Sequence, residues 1–204
     1  ELYVSRNSLS TLNITNGGTV TSTSGWITRF PGAVGTVIID GIGSTWTATG
    51  EIRAGRNGNG TLTIQNGGVA RAGSTCYISS GNTGNGTITI DGVGSQFIVD
   101  AGSMVIGSNV GTGTLTVKNG GVVNIVSGTG TLWVGDGYSA ASGTLNIGAG
   151  GVAGTVEAVT VYGASTSASN TLTFNHTDAS YTFAPAITGA FTAINHNGSG
   201  KTIL

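Results

Sequence analysis

Charge is scarce in this chain: 7% of its 204 residues are Asp, Glu, Lys or Arg, and the formal net charge is −1. So even a balance, with no stretch of basic residues interleaved with aromatics, predicts no general attraction to nucleic acid. The single cysteine, Cys76, excludes an internal disulfide framework and any cysteine-rich metal site. No run of 18 apolar residues occurs, so no segment is expected to cross a membrane as a helix. A basic n-region with an apolar core is also missing from the start, which opens in mid-repeat at Glu1-Leu2-Tyr3-Val4. The expectation is a fragment of a longer protein whose targeting segments lie outside these residues.

What the chain has in abundance is glycine, 38 residues of it, with Ser, Thr and Asn at most other polar positions. Such a composition on its own would fit a disordered linker. The β-branched residues, however, alternate strictly within a recurring pentapeptide, as a half-buried strand requires. It appears as GTVII from Gly35, GTLTI from Gly60, GTITI from Gly86, GTLTV from Gly113 and GTLNI from Gly143, with looser copies STLNI from Ser10 and NTLTF from Asn170. Copies start 25, 25, 26, 27, 30 and 27 residues apart. A period this short marks a solenoid, in which each coil buries its apolar face against its neighbours.

The copy from Gly60 holds three short strand candidates, TLTI from Thr61, GVAR from Gly68 and CYIS from Cys76, separated by Gly, Asn and Ser clusters that supply turns. Three strands in about 25 residues describe one turn of a triangular, all-β parallel β-helix of seven to eight coils. The inward residues of the first strand should form two ladders, Leu12, Val37, Leu62, Ile88, Leu115, Leu145, Leu172 and Ile14, Ile39, Ile64, Ile90, Val117, Ile147, Phe174. In the third strand Arg53 should face solvent, because a lone charge in a dry core costs several kcal/mol. Alternation then predicts Leu2, Trp26, Ile52, Cys76, Met104 and Leu132 inside, and Tyr3, Ile27, Arg53, Tyr77, Val105 and Trp133 outside. In this register Cys76 is a core spacer, not a reactive thiol. The later match at VTVYG, from Val159, is ambiguous by one residue. Coils bearing NGG (Asn16 to Gly18, Asn66 to Gly68, Asn119 to Gly121) alternate with coils bearing DGxGS (Asp40 to Ser44, Asp91 to Ser95), so the duplicated unit is about two coils. Both motifs suit corners where the backbone needs positive φ.

The stretches GTLTIQNGG and GTITIDGVGSQF and the tail NTLTFNHTDASYTFAPAITGAFTAINHNGSGKTIL resemble the passenger domains of bacterial autotransporters, the type V secreted proteins. The resemblance covers nearly all of residues 1–204, taken as a single β-helix unit, and the tail from Asn170 to Leu204 is similar to barrel-proximal coils. What the resemblance implies is a right-handed parallel β-helix, exported through a C-terminal β-barrel outside these residues and displayed on or released from the bacterial surface. It also implies an adhesin, with host cells, extracellular matrix, glycans or neighbouring passengers as partners, in cell binding, self-aggregation or biofilm formation. The rival expectations are a glycan-cleaving β-helix enzyme and a passive spacer.

The equivalent aspartates Asp40 and Asp91 should stand two coils apart, roughly 10 Å, near the upper limit for an inverting glycosidase pair. Both lie in the same turn motif, and the intervening coil offers Gln65, so the turn reading is preferred and no catalytic residue is assigned. The calcium-binding solenoid nonapeptide is absent, and His176 and His196 are isolated and read as solvated, so no metal or cofactor is expected. The outward stripe of Tyr3, Ile27, Arg53, Tyr77, Val105 and Trp133 is the candidate interaction surface, against the commoner case that a neighbouring part of the parent covers it. Arg6, Arg29 and Arg56 fall just after the third strand in successive coils. They form a candidate basic ladder for an acidic glycan, with separately solvated side chains as the plainer reading.

Overall fold

The computed structural model describes residues 1–136, 141–164 and 169–204. Its strands stack coil upon coil into three walls of parallel sheet, a β-solenoid with no helix among the described residues. The first wall has eight strands: Leu9–Thr15, Val34–Asp40, Asn59–Gln65, Asn85–Asp91, Thr112–Lys118, Ser142–Gly151, Ser169–His176 and Ala193–His196. The second has six: Thr19–Ser22, Thr45–Ala48, Val69–Ala72, Gln96–Val99, Val122–Ile125 and Thr155–Glu157. The third again has eight: Leu2–Ser5, Gly25–Thr28, Ile52–Gly55, Cys76–Ile78, Met104–Ile106, Thr131–Val134, Thr160–Gly163 and Ala186–Gly189. Eight strands at the parallel-sheet spacing make a rod roughly 35 Å long.

The recurring pentapeptide is the first wall. Its copies pair in register, so Leu62 lies beside Ile88 and Ile88 beside Leu115. Both predicted ladders run down the axis; every member is buried except Leu12, which is partly buried in the first coil. The leading glycine of the motif has a steric cause. At Gly60 an added Cβ would stand 1.5 Å from the Ala54 carbonyl oxygen, because the end of the third-wall strand crosses there. The threonine after that glycine faces out in every full copy, and Thr36, Thr61, Thr87, Thr114, Thr144 and Thr171 align as a surface row.

The two-coil alternation has a hydrogen-bonding logic at one corner. Asn66 and Gly67 turn through φ of 53° and 87°. Asn66 Nδ2 donates to Asp40 Oδ1 on one side at 2.7 Å, and Gly67 N donates to Ser95 Oγ on the other at 3.1 Å. Ser95 Oγ in turn donates to the Asp91 carbonyl at 2.7 Å. The same set recurs with Asn119 on Asp91 and with Ser44 between Gly17 and Asp40. An NGG coil therefore satisfies a DGxGS coil above and below it. Asp40 and Asp91 are corner residues, with Gln65 between them in the ladder and Lys118 Nζ 3.1 Å from Asp91.

The third wall departs from expectation at one coil. Trp26, expected inside, faces out beside Tyr3 and Arg53, and Ile27, expected outside, is fully buried. The inward place is held by Gly25, which pairs with Leu2 and Ile52. Trp46 of the second wall fills the space that Gly25 leaves: a Cβ on Gly25 would stand 2.1 Å from Trp46 Cζ2. The other inward assignments hold for Ile52, Cys76, Met104 and Leu132, with Leu2 partly buried. The ambiguous match resolves with Val161 inside and Tyr162 outside.

Near the tail the second wall is interrupted. The strand Ser142–Gly151 carries a register shift between Ile147 and Gly151. Beyond Thr155–Glu157 the second wall gives way to a separate pair, Tyr181–Thr182 with Thr202–Ile203. Tyr181 donates its hydroxyl to the Gly154 carbonyl at 2.8 Å, and Phe183 packs edge-on to Phe174 at 5.2 Å. His176, expected to be solvated, is fully buried. It is the last inward residue of its strand, after Asn170, Leu172 and Phe174, and its Nε2 lies 2.8 Å from Thr202 Oγ1.

Candidate interaction surface

Parallel pairing aligns the outward residues of the third wall in one file: Tyr3, Trp26, Arg53, Tyr77, Val105, Trp133 and Tyr162. Of the expected stripe, Ile27 drops out and Trp26 takes its place, while Tyr162 extends it. Each coil presents a single outward side chain at this level of its short strand, and apart from Arg53 these are apolar or aromatic. Rings one coil apart touch: Tyr3 and Trp26 lie 5.8 Å apart, Trp133 and Tyr162 4.7 Å.

Arginines are threaded through the first half of this file. Arg6, Arg29 and Arg56 each follow a residue of one register row, Ser5, Thr28 and Gly55, so stacking does bring the three together. Arg29 lies over Tyr3, Trp26 and Phe30 at 5.0, 5.4 and 5.3 Å, and Arg56 over Trp26 at 4.8 Å. Arg6 stands over Tyr3 and Phe30 at 5.5 and 5.8 Å. Arg53 covers Tyr77 at 4.3 Å and is gripped by Glu51 through two hydrogen bonds of 2.7 and 2.8 Å. A basic patch with interleaved aromatics, which no contiguous stretch of sequence contains, is thus assembled from separate coils. Each stacked cation contributes about 0.5–1 kcal/mol at such half-exposed sites. Arg29 Nη1 also donates to Tyr3 Oη at 2.7 Å, and Tyr3 donates to Glu1, a bond that raises the phenol pKa.

Beyond Tyr77 the file dips. Val105, only 8% exposed, floors a cleft of about 250 Å³ walled by Tyr77 and Trp133. Thr75, Ser103 and Asp136 line its margins. Asp136 is held by donors from the preceding coil, the Ser108 hydroxyl and the Asn109 N–H. The cleft joins aromatic walls to hydroxyl edges, a combination suited to amphipathic rings.

Among the described residues no group of three or more His, Cys, Asp and Glu is placed to hold a metal ion. His176 Nδ1 lies 3.2 Å from Asp178 Oδ2, and the His196 ring stands 5.7 Å from that of His176. The corner aspartates face an asparagine and, at Asp91, a lysine; among the described residues no second carboxylate pairs with either.

Fold and surface together define a repeat-built β-solenoid with a decorated face. Over 95% of its length the chain is 37% identical to part of a protein named Adhesin BmaC autotransporter from Brucella suis biovar 1 (strain 1330). It is thus homologous to a stretch of that autotransporter, in keeping with the resemblance noted in its sequence, and spans 6% of the relative's length. No protein-family model matches the chain, and no solved structure matches it.

Proposed function

We propose that this chain is a segment of an autotransporter passenger displayed at the bacterial surface, and that it acts in adhesion, with the third wall as its contact face. The observation that carries this reading is the file of outward aromatic and arginine side chains on a solenoid whose first wall turns out mainly Thr and Asn. Interfaces are enriched in Tyr, Trp and Arg, and these types supply most hot spots. Homology to a protein named as an adhesin supports the same role. Glycan cleavage is not favoured, because neither corner aspartate has the convergent partner that hydrolysis needs.

The test is display of the chain on a non-adherent Gram-negative cell, followed by counts of bacteria bound to cultured epithelial cells and by settling assays for self-aggregation. Trp26→Ser/Tyr77→Ser/Trp133→Ser should lower attachment at least tenfold while the coil stack stays folded. Attachment unchanged in that folded variant would remove the third wall from the reading. A parent chain that neither attaches nor aggregates would remove adhesion itself.

A further inference from the structure

Resting on the adhesin reading, we infer that the third wall binds an anionic polysaccharide, laid lengthwise along the rod. Its sulfate or carboxylate groups meet Arg6, Arg29 and Arg56, and a sugar ring enters the cleft between Tyr77 and Trp133.

Pairing state separates these three arginines from three of the other four basic residues. Arg53 is clamped by Glu51, Arg71 by Asp100 and Lys118 by Asp91. Among the described residues no carboxylate lies within ion-pair distance of Arg6, Arg29 or Arg56, although the chain as a whole is slightly acidic. Three like charges in successive coils repel one another, and the aromatic faces beneath them offset that only in part. An external anion removes the repulsion and adds charge-assisted hydrogen bonds.

Two donors point the same way. Trp26 Nε1 and Arg29 Nε are buried N–H groups with no acceptor. Donors left without acceptors on this surface are complementary to oxygen-rich anions, and the stacked guanidinium groups are long and flexible enough to part around one.

Linear placement selects a polymer over a small anion. The charges recur at about 4.8 Å, the spacing of parallel coils, along the axis of the rod. Beyond Tyr77, under its stacked Arg53, the cleft continues the same line. There Tyr77 and Trp133 stand two coils apart, roughly 10 Å, with Val105 below and the Thr75 and Ser103 hydroxyls at the edge. A pyranose presents an apolar face to such rings and hydroxyls to such edges, whereas a nucleic acid would have to unstack a base to enter.

The experiment measures binding of the purified 204-residue chain to immobilised heparin, hyaluronan, neutral dextran and single-stranded DNA across a salt series. The chain should be retained on heparin or hyaluronan and not on dextran, with affinity falling as salt rises. Arg6→Gln/Arg29→Gln/Arg56→Gln should lower that affinity by on the order of tenfold or more, through loss of charge-assisted contacts. Arg71→Gln/Lys118→Gln/Lys201→Gln removes equal charge elsewhere and should leave it within about twofold, with thermal melts confirming that both variants fold. Equal losses in the two variants would overturn the site in favour of diffuse charge. Preference for DNA, or no retention on either anionic glycan, would overturn the partner. If the displayed chain still attaches to cells in the latter case, only the glycan inference falls; if it does not, the adhesin reading falls as well.

Discussion

At the scale of single residues, corner and core positions each do one identifiable thing. Ser44 is fully buried, accepts from Gly17 N and donates to the Asp40 carbonyl. Ser44→Ala strands both backbone groups and should cost about 1–3 kcal/mol, read as a lower urea midpoint with an unchanged slope. Gly25 and Trp46 are a matched pair, one leaving the volume that the other fills. Gly25→Ala should destabilise by about 1–3 kcal/mol in the parent, and by much less when Trp46 is already leucine. A double-mutant cycle measures that coupling, and additive losses would show that the two sites are independent. Burial holds the Cys76 thiol protonated by pushing its pKa well up, so a maleimide should leave it unlabelled at pH 8 until the coils are unfolded.

Elements differ in how openly the sequence declares them. The first-wall strands were legible because their inward pair and leading glycine recur with little change, and each is dictated by its own coil's neighbours. The second coil of the third wall was not legible. Alternation from Arg53 assumed an apolar residue at every inward place, whereas Gly25 stands there and its filling comes from Trp46, a residue of another strand. His176, expected in solvent as an isolated histidine, lies inside because the period-two pattern from Leu172 through Phe174 runs on to it. For the candidate surface, the outward file was readable apart from that coil. The interleaving of arginines with Tyr3, Trp26 and Phe30 was not, since it depends on side chains crossing between coils. The Tyr181–Thr182 element carries its own pH dependence. Desolvation first, then the Asp178 carboxylate, raises the Tyr181 phenol above its usual value of 10.0. The folded tail therefore disfavours phenolate, and its stability should be intact below about pH 10 and fall as pH rises beyond that. Tyr181→Phe should flatten this alkaline loss, as followed by amide exchange of residues 181–203, at the expense of one hydrogen bond to Gly154.

For the whole molecule, the strands of the three walls pair between adjacent coils, so length is adjustable in units that respect the corners. Deleting residues 34–84 joins Ala33 to Asn85 and sets the Asp91 corner beside the Asn16 corner, preserving the alternation of NGG and DGxGS. Deleting residues 59–84 sets the Asp40 corner against the Asp91 corner, removes the Asn66 donor and brings two carboxylates to within about one coil spacing. The first deletion should give a shorter, cooperatively melting rod, and the second a Tm lower than the first despite its extra coil. Equal melting temperatures would show that the corner network contributes nothing to coil order.

Continuity of the walls also decides how such a rod yields under load. Two walls run on through all eight strands, with one register shift in the first, while the second stops at Thr155–Glu157 and resumes as a separate pair. Across that gap the coils are joined by point contacts, among them the Tyr181 hydroxyl on Gly154 and the Asp178 carboxylate on Ala153 N. Tension applied along the second wall opens this seam before either ladder parts, and compression there does not. The interruption predicts a preferred plane of flexure at the seventh coil, to be read as directional bending of the rod in force microscopy.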